Sequence, residues 1–215
     1  TCALPISLSL DFGGSEGSVT GRLLQLLALL TVLSLAPSIL LMVTSFTRIV
    51  IVLSFLRSAI GLQQTPPNTV LISLALFLTA FIMAPVAEQS YNEGIKPLMK
   101  EQISEVQAFE RTTAPVHKFM LAHTRERDLE LFVNIASANV EAPERTPLHV
   151  LIPAFLVSEL RRSFEIGFLL FVPFVIIDMV VASILMSMGM MMLPPVMISL
   201  PFKLIFFVLV DGWYM

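Results

Sequence analysis

The sequence has few charged residues and a single cysteine. Charged side chains make up 13% of its 215 residues, whereas soluble domains usually carry about 25%. Hydrophobic residues make up 56% of the chain, and its mean hydropathy is +0.85. This composition is typical of a membrane protein. The lone Cys2 excludes an internal disulfide and a metal cluster held by cysteines.

Motifs of enzymes are also missing from the sequence. It has no glycine-rich phosphate loop, no Gly-x-Ser-x-Gly elbow and no His-Glu-x-x-His helix. His117, His123 and His149 lack the spacing of metal ligands, so we interpret them as surface or packing residues. The net charge is −3 with both signs dispersed, which does not suit nucleic acid. We expect a protein that is not an enzyme and needs neither cofactor nor metal.

Hydropathy divides the chain into a tail, two apolar blocks and one polar block. Residues 1–21 predict a flexible tail that follows a removed signal peptide, because they include neither a basic start nor a long apolar run. Residues 22–87 predict a hydrophobic helical hairpin with spans at 23–43 and 69–87, since about 20 apolar residues cross a bilayer. We expect Pro37 to kink the first span, not to end it.

Two segments beside these spans have other patterns. The apolar stretch between Arg48 and Arg57 is too short to span, and either extends the first helix or folds back as an interfacial turn. Residues 150–215 predict a second hydrophobic hairpin, with spans at about 166–188 and from about 199 onwards. These spans are joined by a methionine-rich loop at 188–197. The pattern therefore indicates an all-α fold of membrane type.

The polar block at 88–149 holds ten acidic and seven basic residues. Apolar residues recur there at helical spacing and predict two or three amphipathic helices: Met99, Ile103 and Val106; Val116, Phe119 and Met120; Leu129, Phe132, Val133 and Ala136. These faces either form the core of a small helical domain or dock on copies of the same domain. Arg48 and Arg57 place the first connection in the cytoplasm, so the acidic polar block is expected outside it.

Two acidic residues lie in the second apolar block. Asp178 has apolar or neutral neighbours for about eight residues on either side, where an ionised carboxylate costs about 2.5–3.5 kcal/mol. It is either an acid held at a helix interface or part of a site for a partner, an ion or a proton. Glu159 is either functional or part of a solvated helix start, since its spacing from Arg162, and that of Arg161 from Glu165, permits helical ion pairs.

Four stretches of the chain carry a resemblance to a known family: "ILLMVTSFTRIVIVLSFLRSAIG", "PPNTVLISLALFLTAFIMAPV", "FMLAHTRERDLELF" and "PAFLVSELRRSFEIGFLLFVPFVIIDMVVASILMSMGMMMLPPVMISLPFKLIFFVLVDGW". They resemble the FliP family, the flagellar biosynthetic proteins of the type III export apparatus. The resemblance covers nearly the whole chain from residue 23. It departs at the tails, because the N-terminal signal is missing and the family's last helix normally continues beyond Met215.

This resemblance implies a homo-pentamer that joins one FliR and several FliQ subunits in the core export gate of the bacterial inner membrane, at the flagellar basal body. Unfolded flagellar subunits pass through the centre of that helical ring complex. In the family the apolar hairpins are lifted largely out of the bilayer plane, which differs from the bilayer spans that hydropathy predicts. Within that assembly, the candidate functional acids are Asp178 and Glu159. The possible supporting charges are Arg161, Arg162 and Lys203.

The methionine loop is the candidate gate. The run "MSMGMMMLPP" holds five of the chain's 12 methionines. Met190, Met191 and Met192 match the family's methionine loop, and we expect them to form an apolar gasket, because flexible methionine side chains repack readily. A membrane transporter for ions or small solutes that uses a buried carboxylate is the alternative. Such a transporter is expected to show two related halves with broken helices, a repeat that the sequence lacks.

Overall fold

The computed structural model describes residues 19–62, 65–137, 142–190 and 193–212. Those residues are mainly helical and contain no strand, which confirms the predicted all-α fold. Within these described ranges, eight α-helices follow one another, with a π-helical segment at Tyr91–Ile95 and a 3₁₀ turn at Pro143–Arg145: α1 Val19–Met42, α2 Phe46–Ile60, α3 Asn68–Ser90, α4 Lys96–Met99, α5 Glu105–His123, α6 Glu126–Ile135, α7 Leu148–Ser187 and α8 Pro195–Leu209.

The chain divides into two compact units, and the division falls after Ile39. The described part of the first unit is the stretch of α1 up to that residue. Its leucines are largely exposed, for example Leu30 and Leu33. Pro37 lies inside α1, and the helix continues past it to Met42, as predicted.

Within the second unit, the segment around Arg48 and Arg57 forms the separate helix α2. The prediction that it extends the first helix or makes an interfacial turn was wrong. Gly61 ends α2 with a left-handed φ of 92°, and backbone N–H groups beyond the helix bond to the carbonyls of Arg57 and Ser58. An apolar stretch too short to cross a bilayer is long enough to pack on α3 and α7.

The helix α7 is longer than the sequence suggested. It runs unbroken for 40 residues, or about 60 Å, and so joins the charged segment around Glu159 to the apolar stretch predicted to begin at about residue 166. Three charged side chains of this segment, Glu159, Arg161 and Glu165, pair with residues outside α7. Gly167 also lies inside the helix. The ring of Phe55 packs there in the space that a Cβ would take.

The helix α3 also continues further than predicted. Pro85 lies inside α3 and does not end it, and the chain remains helical through Tyr91–Ile95 into α4. The π-helical turn brings Gly94 against α5, where an added Cβ would lie 2.0 Å from Thr112 Oγ1. This close approach requires glycine.

The polar block contributes α5 and α6, which pack on the N-terminal half of α7. Met120 of α5 is buried with Leu151 and Phe155 of α7. The first predicted apolar stripe is different: Met99 and Val106 are 74% and 69% exposed. These two side chains are therefore not part of a core within the described residues.

Two stretches of the described chain are helical, long and apolar enough to cross a membrane, Asn68–Met99 and Leu148–Ser187. In each of them, only 17% of the most apolar 18-residue segment is buried. The helix α8 is shorter, at 15 residues, or about 22 Å. Most of the apolar surface of the two long helices therefore faces outward, and lipid or another protein chain has to cover it.

Candidate functional site

A polar cluster joins α7, α8 and the end of α2. Asp178 of α7 accepts hydrogen bonds from Ser199 Oγ at 2.5 Å and from Lys203 Nζ at 2.7 Å. The Lys203 side chain is 3% exposed and that of Asp178 is 30% exposed. The ion pair thus holds a buried ammonium in an apolar setting where an unpaired charge is costly.

Lys203 also donates to the backbone carbonyl of Ala59 at 3.1 Å. Ala59 lies in the last turn of α2, where carbonyls lack intrahelical partners and the helix dipole is negative. One ammonium therefore links three helices. Ala59, Ile60, Phe174 and Phe207 form a buried apolar core contributed by the same helices.

Sequence analysis named Asp178 and Lys203 but did not pair them. Antiparallel folding of α7 and α8 around the methionine loop brings them together. Asp178 lies 12 positions before Met190, and Lys203 lies 12 positions after Met191. This symmetry about the loop was a signal that could have predicted the pair.

A second cluster fixes α2 to α7 through Glu159. Arg48 Nε donates to Glu159 Oε2 at 2.7 Å, and its Nη2 donates to Oε1, so the pair is bidentate. Glu159 is 1% exposed, so it does not belong to a solvated helix start. Its partner is on another helix, whereas the sequence suggested Arg162. Arg162 is half-buried and has no polar side-chain contact among the described residues.

A third cluster attaches α6 to α7 and was missed by sequence analysis. Asp128 is 3% exposed and accepts a hydrogen bond from Ser158 Oγ at 2.8 Å. Arg161 Nη1 lies 3.5 Å from the other oxygen of Asp128. Arg125, just before α6, pairs with Glu165, so the suggested Arg161–Glu165 pair is replaced by contacts between helices.

The clusters of Glu159 and Asp178 lie at two levels of α7. They are 19 positions apart on one continuous helix, or about 28 Å. The two acids therefore cannot share one catalytic site. Arg57 is separate again, since it donates to Asn68 Oδ1 at 2.6 Å.

The methionine loop begins with a helix cap. Gly189 has a φ of 73°, its N–H bonds to Met186 O, and the N–H of Met190 bonds to Leu185 O. These bonds are those of a Schellman motif, which stops α7. Met190 is 45% exposed. Met191 and Met192 lie outside the described residues.

Metal ligands do not gather in the part of the chain that the structure describes: no group of three or more His, Cys, Asp or Glu residues there could hold an ion. His117 Nε2 lies 2.8 Å from Thr146 O, and His123 Nδ1 lies 2.8 Å from Phe119 O. His149 is exposed. These positions agree with the packing and surface roles predicted for the histidines.

Comparison with known proteins gives one consistent family. The model of the FliP family matches residues 29–215. Three similar curated proteins carry the name flagellar biosynthetic protein FliP. The Caulobacter vibrioides protein is 62% identical over 201 residues, which cover 93% of this chain and 76% of the relative. The Bacillus subtilis protein is 55% identical over 205 residues, which cover 95% of this chain and 93% of the relative. The Aquifex aeolicus protein is 52% identical over 212 residues, which cover 97% of this chain and 87% of the relative.

Proposed function

Because the chain belongs to the FliP family, we propose that it is a core component of the flagellar type III protein export gate. In this proposal, five copies join FliR and several FliQ subunits in the inner membrane and form the channel for unfolded flagellar subunits. The observation that carries the proposal is the family match across residues 29–215, together with the flagellar names of relatives at 52–62% identity.

The exposed apolar surface supports an assembly in or at a membrane. Phe77 and Phe81 of α3 are 72% and 77% exposed, and Phe168 and Leu169 of α7 are 67% and 70% exposed. Single exposed apolar residues are common, but contiguous apolar faces of this length mark surfaces for lipid or partner chains. In the proposed gate, neighbouring subunits and lipid cover these faces.

The exposed Met190 and the Schellman cap at Gly189 support a role for the methionine loop as the seal. A gate that opens for an extended chain needs apolar side chains that repack, and methionine has three rotatable bonds and a polarizable sulfur. Met190, Met191 and Met192 of each copy meet around the axis in this proposal. The Asp178–Lys203 cluster then holds the two helices that carry the loop against α2.

A transporter that uses Asp178 as its ion or proton site has less support. The carboxylate already accepts hydrogen bonds from Lys203 and Ser199. Its negative charge is therefore balanced within the chain. A structural role in holding α7, α8 and α2 together accounts for these contacts.

Complementation tests the proposed function. The gene for this chain is placed in a Caulobacter vibrioides strain that lacks its own FliP, and swimming and secretion of hook and filament subunits are measured. We expect both to return, with the tagged chain co-purifying with FliQ and FliR. Asp178→Lys, which places two cations together at Lys203, is the comparison variant and is expected to be inactive. Expression at the membrane without secretion or co-purification would contradict the proposal.

The polar block is proposed to lie outside the cytoplasm. Glu110 is exposed on α5, so a cysteine at this position, in a chain with Cys2→Ser, reports its side of the membrane. We expect a membrane-impermeant maleimide to label it from the extracytoplasmic side. Labelling that requires access from the cytoplasm would contradict this orientation.

A further inference from the structure

The C-terminal end of α5, α6 and the 3₁₀ turn surround a groove with a cavity of about 600 Å³. Its walls include the apolar side chains of Leu121, Leu129, Val133 and Pro143. Three carboxylates also line it, from Glu126, Glu130 and Glu144, and all three residues are exposed. Cavities of about 300–1,000 Å³ bury most of a drug-sized ligand, so this acidic groove can hold several side chains.

An exposed surface with two lysines lies at α4, and the exposed Glu101 follows it. It carries Leu98 and Met99 between Lys96 and Lys100, and Met99 is 74% exposed. Both lysines are exposed, and neither has an ion pair with the described residues. We call these four residues the basic knob.

The basic knob is held in a fixed conformation. Glu101 has a left-handed φ of 54°, its N–H bonds to Leu98 O at 2.9 Å, and the N–H of Gln102 bonds to Pro97 O at 3.0 Å. These bonds cap α4 in a Schellman motif. A rigid protrusion loses less conformational freedom when it binds.

The acidic groove and the basic knob lie toward opposite ends of α5. The segment before the knob packs at Thr112, through Gly94. The groove begins at Leu121, nine residues or about 14 Å further along the helix. The knob of the same chain therefore does not fill the groove.

We propose that the acidic groove of one copy of this chain receives the basic knob of the next copy. Leu98 and Met99 enter the apolar walls, and the two lysines face the three carboxylates. Such a head-to-tail contact uses different surfaces on the two partners, so it is repeated from copy to copy and closes into a ring when the rotation permits. The inference rests on the proposed function, which brings several copies together.

Cysteine cross-linking tests this contact directly. In the full chain with Cys2→Ser, which removes its only cysteine, Met99→Cys is combined with Val133→Cys in flagellated cells. Oxidation is expected to give a ladder of dimers and higher oligomers with the pair. Neither single variant should give a ladder, because a head-to-tail contact does not bring two identical positions together.

Charge reversal tests the chemistry of the contact. Lys96→Glu with Lys100→Glu, or Glu126→Lys with Glu130→Lys, should lower the cross-linked yield at least about tenfold, because like charges then face each other. All four changes together should restore it. Matched controls are Arg111→Glu and Glu110→Lys, which lie on the exposed part of α5 outside both surfaces and should leave the yield unchanged.

The outcomes separate this inference from the proposed function. If the cysteine pair gives no ladder while the same chain still co-purifies with FliQ and FliR and restores secretion, the gate proposal stands and this contact is wrong. Restoration by the four-residue swap supports the contact. A swap that lowers the yield as much as either half overturns it, provided that the controls remain at the parent level.

Discussion

The pair of Asp178 and Lys203 gives a prediction whose size follows from burial. Asp178→Asn keeps the shape of the side chain but removes its charge, so the ammonium of Lys203, 3% exposed, is left buried without a counter-ion. Removing one member of a buried pair typically costs about 3–5 kcal/mol. In a chain of this size that lowers the melting temperature by at least about 6 °C.

The reverse substitution should cost less. Lys203→Met leaves a carboxylate that is 30% exposed and still accepts a hydrogen bond from Ser199, so water offsets part of the lost attraction. We expect a loss of about 1–3 kcal/mol. In the double variant Asp178→Leu with Lys203→Met, no charge is buried, and Ser199 Oγ keeps the Val196 carbonyl at 3.1 Å. The double variant should therefore be more stable than Asp178→Asn alone.

The assay is thermal unfolding of the purified chain in detergent. It measures the amount of protein that remains monodisperse after heating. A double-mutant cycle made of Asp178→Leu, Lys203→Met and the double variant gives the coupling between the two positions. Ser187→Ala, which removes an exposed hydroxyl whose hydrogen bond is to Ile184 O, is a control expected to change little. Additive losses in the double variant would refute the interpretation that the two charges stabilise each other.

Three further predictions concern other contacts. Gly94→Ala should destabilise the chain by about 1–3 kcal/mol. Adding Thr112→Ser should not restore the stability, because the added Cβ also lies 2.8 Å from the backbone nitrogen of residue 112. Thermal unfolding of the single and the double variant measures both effects. Glu159→Gln should lower the free energy of unfolding by about 2–3 kcal/mol, because Arg48, whose side chain is 24% exposed, then lacks its counter-charge. Glu165→Gln should cost less than about 1 kcal/mol, because the Glu165 carboxylate is 53% exposed. Equal losses of stability in the two variants would contradict the role of burial. Alanine at Met190, Met191 and Met192 should leave assembly intact and raise leakage of small ions, whereas core methionines would cost about 2–5 kcal/mol each and lower the yield of complex.

Much of the fold could be predicted because hydropathy and periodicity are local properties of the sequence. The apolar runs predicted helices, and Pro37 was correctly placed inside one. Helix ends were less predictable. Pro85 normally favours an end, but α3 continues past it to Ser90, and α7 continues through the charges around Glu159, which pairs with Arg48 of α2.

The polar clusters depended on contacts between distant segments. Asp178 stood out because a charge in an apolar run is expensive, but its partners Ser199 and Lys203 are set by the hairpin. Asp128 gave no such signal, since it lies among other charged residues in the sequence. Its burial arises only when α6 packs on α7 and Ser158 donates to it.

Photo-cross-linking from the methionine loop tests most directly whether this chain lines a protein-conducting channel. A photoreactive phenylalanine analogue replaces Met190, which is 45% exposed, in cells that export a flagellar subunit fused to a tightly folded domain that stalls in transit. The same analogue at Ile135, which is 69% exposed on α6, is the control. The account predicts a covalent product with the stalled subunit from position 190 and none from position 135. Equal products from both positions, or none from position 190 while the subunit is stalled in the gate, would contradict it.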